Sequence, residues 1–306
     1  MVLKDEIRAN IVRHFPGWHG RAEELRAGIE AICEAFFDEK LADQTFEKRL
    51  CNDGPAIFWQ ALSEALIAHE MRSVGLPLIP SIDGPDLHTV HEGRHIWVEV
   101  ICPKPEGIPA KWFDNESTEV RQVPHQEIFL RWTAAIKEKS EKLLGSRDGK
   151  RKGYLEKGIV SADDVFVIAI NGRLLRPEYL PIIDGASFWP YALQATLAVG
   201  PRHIRIDAKT QEVLGSGHHH QPQTENANGA PVPTDNFFDE RFKPVSAIWA
   251  TDLAAGFDKS RLGLVHNPFA VNPVGQGVLP AEFEYVTKIE GDEYEVTREP
   301  GGLKPQ

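Results

Sequence analysis

Pro85-Asp86-Leu87-His88-Thr89-Val90-His91-Glu92-Gly93-Arg94-His95-Ile96-Trp97-Val98-Glu99-Val100-Ile101 alternates in period two on either side of Glu92-Gly93. That pattern predicts strands over 86–91 and 95–101 joined by a two-residue hairpin turn. Pairing outward from the turn sets 91 against 94, 90 against 95 and, at the open end, Asp86 against Glu99. Directly opposed residues hold their Cβ atoms about 4.5–5.5 Å apart on one sheet face. Two carboxylates therefore share one site. Like charges that close repel, so the pair makes chemical sense with a divalent cation or a shared proton between them. A hard, oxygen-loving ion such as Mg2+ suits these ligands.

The flanks carry a different period. Apolar residues over 55–73 recur at helical spacing, with Phe58, Leu62, Ala65, Leu66 and His69 as one stripe that Gly75 and Pro77 close. Pro103 and Pro105 stop the second strand, because proline cannot donate to a ladder. A long Pro-rich connection over 103–124 leads to a helix over 126–144, with Phe129, Trp132, Thr133, Ile136 and Leu143 on one face. The apolar run Val165-Phe166-Val167-Ile168-Ala169-Ile170 then reads as a strand buried on both faces. The order is helix, hairpin, helix, buried strand.

Pro85-Asp86, the short hairpin, Trp97-Val98-Glu99-Val100-Ile101, the preceding helix with Glu64 and the following helix and strand together resemble the PD-(D/E)XK nuclease superfamily, the restriction-endonuclease-like fold, over 55–171. The resemblance implies that Asp86 and Glu99 bind Mg2+ (or Mn2+), with Glu64 as the helix acid and the Val100 carbonyl as an extra ligand. It implies that the metal organises water to attack a phosphodiester. The lysine expected two residues after the second acid is Ile101 here. The superfamily sometimes supplies that lysine from the following helix. Lys139, three residues after Ile136 and four before Leu143, lies on the inward stripe and is the candidate, with Lys142 and Lys104 behind it. Glu64 matches the helix acid by its distance from Gly75, whereas Glu70 lies nearer the apolar stripe by helical angle.

Other features bear on chemistry more weakly. His88 shares a face with Asp86 and is either a site neighbour or a packing partner of Trp97; His91 and His95 lie near the turn. Arg147, Lys150, Arg151 and Lys152 form a basic cluster that could contact nucleic-acid phosphates or simply solvate a helix end. His218, His219 and His220 are consecutive and do not converge on one ion from a rigid scaffold. Cys102 reads as a core residue. P-loop, GxGxxG, GxSxG and HExxH motifs are absent.

The chain has 306 residues, 42% hydrophobic and 26% charged, which excludes fibrous and globally disordered classes. Three cysteines without CxxC spacing argue against a disulfide framework and a zinc ribbon, and favour a reducing cytoplasm. The charged start and the lack of any long apolar run predict neither secretion nor a membrane partner. A net charge of -11 opposes polyanion binding unless positive charge is concentrated locally.

The expected fold is α/β: a restriction-endonuclease-like core with a mixed central sheet flanked by helices, an N-terminal helical segment over 1–54 broken at 15–20, the core over 55–171, and a C-terminal strand-rich extension over 172–306. In that extension the expectation is a turn and helix over 187–199, a short strand over 203–207, an exposed loop over 215–235, and strands over 245–250, 263–266, 282–289 and 293–298, the last two about Gly291-Asp292. The expected activity is a Mg2+-dependent nucleic-acid phosphodiesterase. Two alternatives are a catalytically silent binding or scaffold domain, suggested by Ile101, and a metal-dependent hydrolase of a small substrate. The sequence leaves DNA against RNA, and monomer against homodimer, open.

Overall fold

The computed structural model describes residues 3–17, 22–114, 120–177, 183–254, 262–291 and 293–302. Residues 18–20 of the expected N-terminal break, and Asp292 of the expected turn, lie outside them. Three helices, α1 (Asp5–His14), α2 (Ala22–Asp38) and α3 (Phe46–Leu50), precede α4 (Pro55–Ser73). Proline at the first helical position starts α4, where its missing N–H is no loss. A left-handed Gly75 (φ 84°) lets Leu76 N–H reach back to Met71 O and ends the helix.

β1 (Leu87–His91) and β2 (Arg94–Ile101) form the hairpin in the expected register, from His91 opposite Arg94 to Leu87 opposite Val98. Glu92 (φ 50°) and Gly93 (φ 77°) are both left-handed, the geometry of a type I′ turn whose twist matches its strands. After α5 (His125–Leu144) the chain enters β3 (Val165–Asn171), parallel to β2. The remaining elements are α6 (Tyr191–Leu197), β4 (Val199–Ile206), β5 (Val213–His220), β6 (Gln223–Glu225), β7 (Pro231–Pro233), β8 (Ala247–Thr251), β9 (Leu262–His266), β10 (Phe283–Glu290) and β11 (Glu293–Pro300).

The fold is α/β with a mixed seven-stranded sheet, ordered β1-β2-β3-β8-β9-β10-β11 and flanked by helices. β3 lies within it, parallel to both neighbours and buried at every position. Val165, Val167 and Ala169 face the core formed with α1 to α4; Phe166, Ile168 and Ile170 face the core formed with α5 and α6. Each large side chain so buried contributes about 1.5–3 kcal/mol. The sheet and both cores run across residue 171, joining the expected central and C-terminal parts. Among the described residues no helix is long and apolar enough to cross a membrane.

Two local expectations are corrected. The segment over 215–235, expected as an irregular loop, contributes to two hairpins: β5 pairs with β4, and β6 with β7. Both ribbons are largely exposed on both faces, so no apolar alternation marks them in the sequence. His69, assigned to the apolar stripe of α4, is exposed. That helix is buried around most of its circumference through 58–68, because it is covered by the sheet and by α2 and α3.

Candidate active site

Glu99 lies within β2 on the face it shares with Trp97 and Ile101, which turns it toward α5. Lys139 extends the buried stripe of Ile136 and Leu143 on α5 and is itself buried. Its Nζ donates to Glu99 Oε1 at 2.8 Å, and Lys142 Nζ donates to the same oxygen at 2.5 Å. Tyr154 O–H donates to Oε2 at 3.3 Å. Burial alone would push the Glu99 carboxyl up, but the charges and hydrogen bonds of Lys139 and Lys142 outweigh it and hold it below its ordinary value. The Lys142 ammonium is raised: burial disfavours its charge, and Glu99 and Asp86 more than offset that.

Asp86 sits one residue before β1, where the ladder between β1 and β2 has ended. Its Oδ2 accepts the Val100 N–H at 2.7 Å, supplying the acceptor that a longer β1 would have offered. Gln60 of α4 continues the same substitution: Nε2 donates to Val100 O at 3.2 Å, and Oε1 accepts from Cys102 N–H at 2.9 Å. Burial first, then the charges of Glu99 and Glu64, push the Asp86 carboxyl well above its ordinary value.

Glu64 comes from the buried side of α4 and is 5% exposed. Arg49 of α3 grips it with both terminal nitrogens, Nη1 to Oε1 at 2.6 Å and Nη2 to Oε2 at 2.9 Å, and Gln60 Nε2 adds a bond at 3.0 Å. Such a fork-on-fork pair is the strong form of the guanidinium–carboxylate contact. Arg49, Glu64, Asp86, Lys139 and Lys142 line one cavity of about 590 Å³, with Lys104, Arg131 and Glu138 also on its wall.

The expected site residues are therefore partly brought together. Asp86, Glu99, Glu64, Lys139 and Lys142 converge, and Lys104 shares the cavity lined by all of them but Glu99. Glu70 is half-buried, is absent from the cavity wall, and carries a carboxyl raised by burial. His88 stacks on Trp97 with centroids 3.9 Å apart and meets His95 at 2.8 Å, so its contacts point along the hairpin toward the turn and not to the carboxylates. The Val100 carbonyl, expected as a ligand, accepts from Gln60. Lys150 and Arg151 pair with Asp148 and Glu141 in and after the last turn of α5, Arg147 pairs with the distant Asp239, and Lys152 is exposed beside them. Cys102 is buried, its thiol pushed up to about 12 by burial, and Cys33, Cys51 and Cys102 are all free.

Sequence reasoning missed Arg49, Gln60 and Tyr154. A usable signal existed for the first: a glutamate on a helix buried nearly all round needs a cation, and Lys48 and Arg49 lie in the segment just upstream.

Among the described residues no group of three or more His, Cys, Asp or Glu side chains is placed to hold a metal ion. Asp86 and Glu99 carry the hard oxygen donors that Mg2+ or Mn2+ takes; burial, then neighbouring negative charge, disfavours the ionised form of Asp86, while both Glu99 oxygens already accept from Lys139, Lys142 and Tyr154. Mg2+ is usually held by one or two carboxylates, the remaining positions going to water and substrate phosphate. No protein-family model, curated protein or solved structure matches the chain.

Proposed function

We propose that the chain is a Mg2+- or Mn2+-dependent nucleic-acid phosphodiesterase of the PD-(D/E)XK kind. The observation that carries this reading is the buried Lys139–Glu99 contact at 2.8 Å, in which Lys139 lines the same cavity as Asp86 and Glu99 lies behind the cavity wall. It supplies from α5 the cation that Ile101 lacks. Asp86 and Glu99 would hold the metal, with Glu64 behind them. When bound, the ion would supply Lewis-acid stabilisation of phosphate oxygens. Lys139 would orient the attacking water or the scissile phosphate, its ammonium fixed by Glu99. Lys142 would hold Glu99 ionised, and Arg49 would keep Glu64 in place while Gln60 and Asp86 fix the backbone of Val100. The acids and bases on the cavity wall are matched, five of each, so the wall lacks the negative excess of the whole chain, and Lys104 and Arg131 on it would meet the phosphate.

A second reading has its own support. Glu99 already accepts from Lys139, Lys142 and Tyr154, and Glu64 from Arg49 and Gln60. That set neutralises both acids without a metal, as a catalytically silent binding domain would require. Cleavage of labelled single- and double-stranded DNA and RNA separates the two. The nuclease reading expects cutting that needs Mg2+ or Mn2+ and is lost in Asp86→Asn and Glu99→Gln; folded wild-type protein that cuts none of the four substrates supports the silent domain.

A further inference from the structure

A second cavity, of about 680 Å³, lies along α5 between that helix and the β6–β7 hairpin. It meets the carboxylate cavity at Glu106, Arg131 and Ala134, which line both. Its α5 wall runs from Glu127 to Leu144, about 25 Å at 1.5 Å per residue. The hairpin is tied down at one end, where Gln126 Nε2 donates to Thr224 Oγ1 at 2.9 Å and to Glu225 O at 3.0 Å. At the far end of the cavity the segment after the hairpin is held to the end of α5, where Arg241 donates to Gly145 O and Arg147 pairs with Asp239 at 2.8 Å. The walls are thus fixed at both ends, with the space between them open.

The chemistry of the walls differs from that of the whole surface. The cavity is lined by four cations, Arg131, Lys137, Arg147 and Arg241, and three acids, Glu106, Glu127 and Glu141, an excess of one positive charge in a chain of net -11. Arg131 is 3.7 Å from Glu106, and Lys137 is exposed and makes no ion pair among the described residues. Across from α5, Asn226 and Asn228 present amides and Pro231 and Val232 present apolar surface. Arg131, Lys137 and Arg147 on the α5 side, interspersed with Glu127 and Glu141, suit the phosphates of one strand. Amides and apolar groups on the other suit base edges and base faces. The volume is in the range that holds a drug-sized ligand, which admits a few nucleotides of one strand and not a duplex.

We infer that this groove is the track of a single nucleic-acid strand, leading along α5 to the carboxylate cavity with its phosphates on the Arg131–Lys137–Arg147 side. The inference deepens the nuclease reading and rests on it for the class of ligand. It also moves the nucleic-acid contacts from the loop of Lys150, Arg151 and Lys152 to the groove beside it.

The test is fluorescence anisotropy with short single-stranded DNA and RNA and a matched duplex, in the absence of divalent metal. It compares wild type with Lys137→Glu, Asn228→Asp and, off the groove, Lys150→Glu; all three positions are exposed, so unchanged thermal melting is expected. Wild type should prefer single strands. Lys137→Glu should bind at least about tenfold more weakly, with a salt slope reduced by about one. Asn228→Asp should weaken binding as well, and Lys150→Glu should match wild type. Lys137→Glu and Asn228→Asp binding like wild type, a preference for duplex, or no binding of any strand by wild type would each overturn the groove. The two proposals fail separately. Strand binding lost in Lys137→Glu, from a protein that never cuts with Mg2+ or Mn2+, keeps the groove and removes the nuclease; metal-dependent cutting with binding unchanged in Lys137→Glu does the reverse.

Discussion

Lys139 Nζ lies 2.8 Å from Glu99 Oε1, with the two side chains 5% and 0% exposed. Few arrangements cost more to half-remove, because a buried charge that loses its partner keeps its full desolvation penalty. Glu99→Ala, which strands Lys139, is expected to lower folding stability by about 3–5 kcal/mol. Lys139→Met leaves Glu99 with Lys142 and Tyr154, so its cost should be smaller, about 1–3 kcal/mol. Urea denaturation of both variants checks the order; an equal loss would mean that Lys142 and Tyr154 do not support Glu99.

Glu64 and Arg49 form another pair on the cavity wall, but Arg49 is 22% exposed and water shares its charge. Arg49→Ala is expected to cost about 1–3 kcal/mol, largely restored by adding Glu64→Gln. A double-mutant cycle in urea measures the coupling, and additive losses would show that the pair is not what holds α3 to α4.

The two central acids respond oppositely to pH. Asp86, raised by burial and by Glu99 and Glu64, holds a proton in the folded state that the unfolded chain has already released. Stability therefore falls as pH climbs from the ordinary aspartate range through the raised value. Glu99 is held low by Lys139 and Lys142 against the pull of burial, so its contribution is present above the ordinary glutamate range and lost as pH falls through its folded value. Asp86→Asn keeps an acceptor for Val100 N–H and removes the charge. It should melt higher than wild type near neutral pH, with the gap closing in acid. Adding Mg2+ should narrow the gap by stabilising wild type alone. Melting curves across pH, with and without Mg2+, would contradict this if Asp86→Asn were the less stable protein at neutral pH.

The hairpin turn admits a backbone check. Gly93 at φ 77° occupies the left-handed region, where a side chain with a Cβ costs about 1–2 kcal/mol. Gly93→Val should lose about that much in urea denaturation. No loss would mean that the register opposing β1 to β2 does not depend on this turn.

These expectations rest unevenly on the sequence. The hairpin register was legible because Glu92-Gly93 admits one turn type and period-two alternation fixes which residues face inward. Lys139 was legible because it continues the apolar stripe of Ile136 and Leu143 on α5. The β4–β5 and β6–β7 ribbons were not, since strands solvated on both faces carry no apolar alternation. Arg49, Gln60 and Tyr154 escaped for another reason: Arg49 and Tyr154 reach their acids across 15 and 55 residues of chain, and Gln60 completes the ladder of β2 from α4. Only the packing of α3, α4 and the turn-rich segment after α5 creates those contacts. His88 shows the limit of face assignment, since the face it shares with Asp86 also carries Trp97, and ring stacking claims the imidazole.

The central claim is that Lys139 supplies from α5 what Ile101 does not. Metal-dependent cleavage of single-stranded DNA and RNA under single-turnover conditions, comparing wild type with Lys139→Met and Lys139→Arg, tests it most directly. The account expects cutting by wild type with Mg2+ or Mn2+, a loss of about 10²–10⁴-fold in Lys139→Met with strand binding retained, and partial recovery in Lys139→Arg. Wild-type cutting that Lys139→Met leaves unchanged would contradict it.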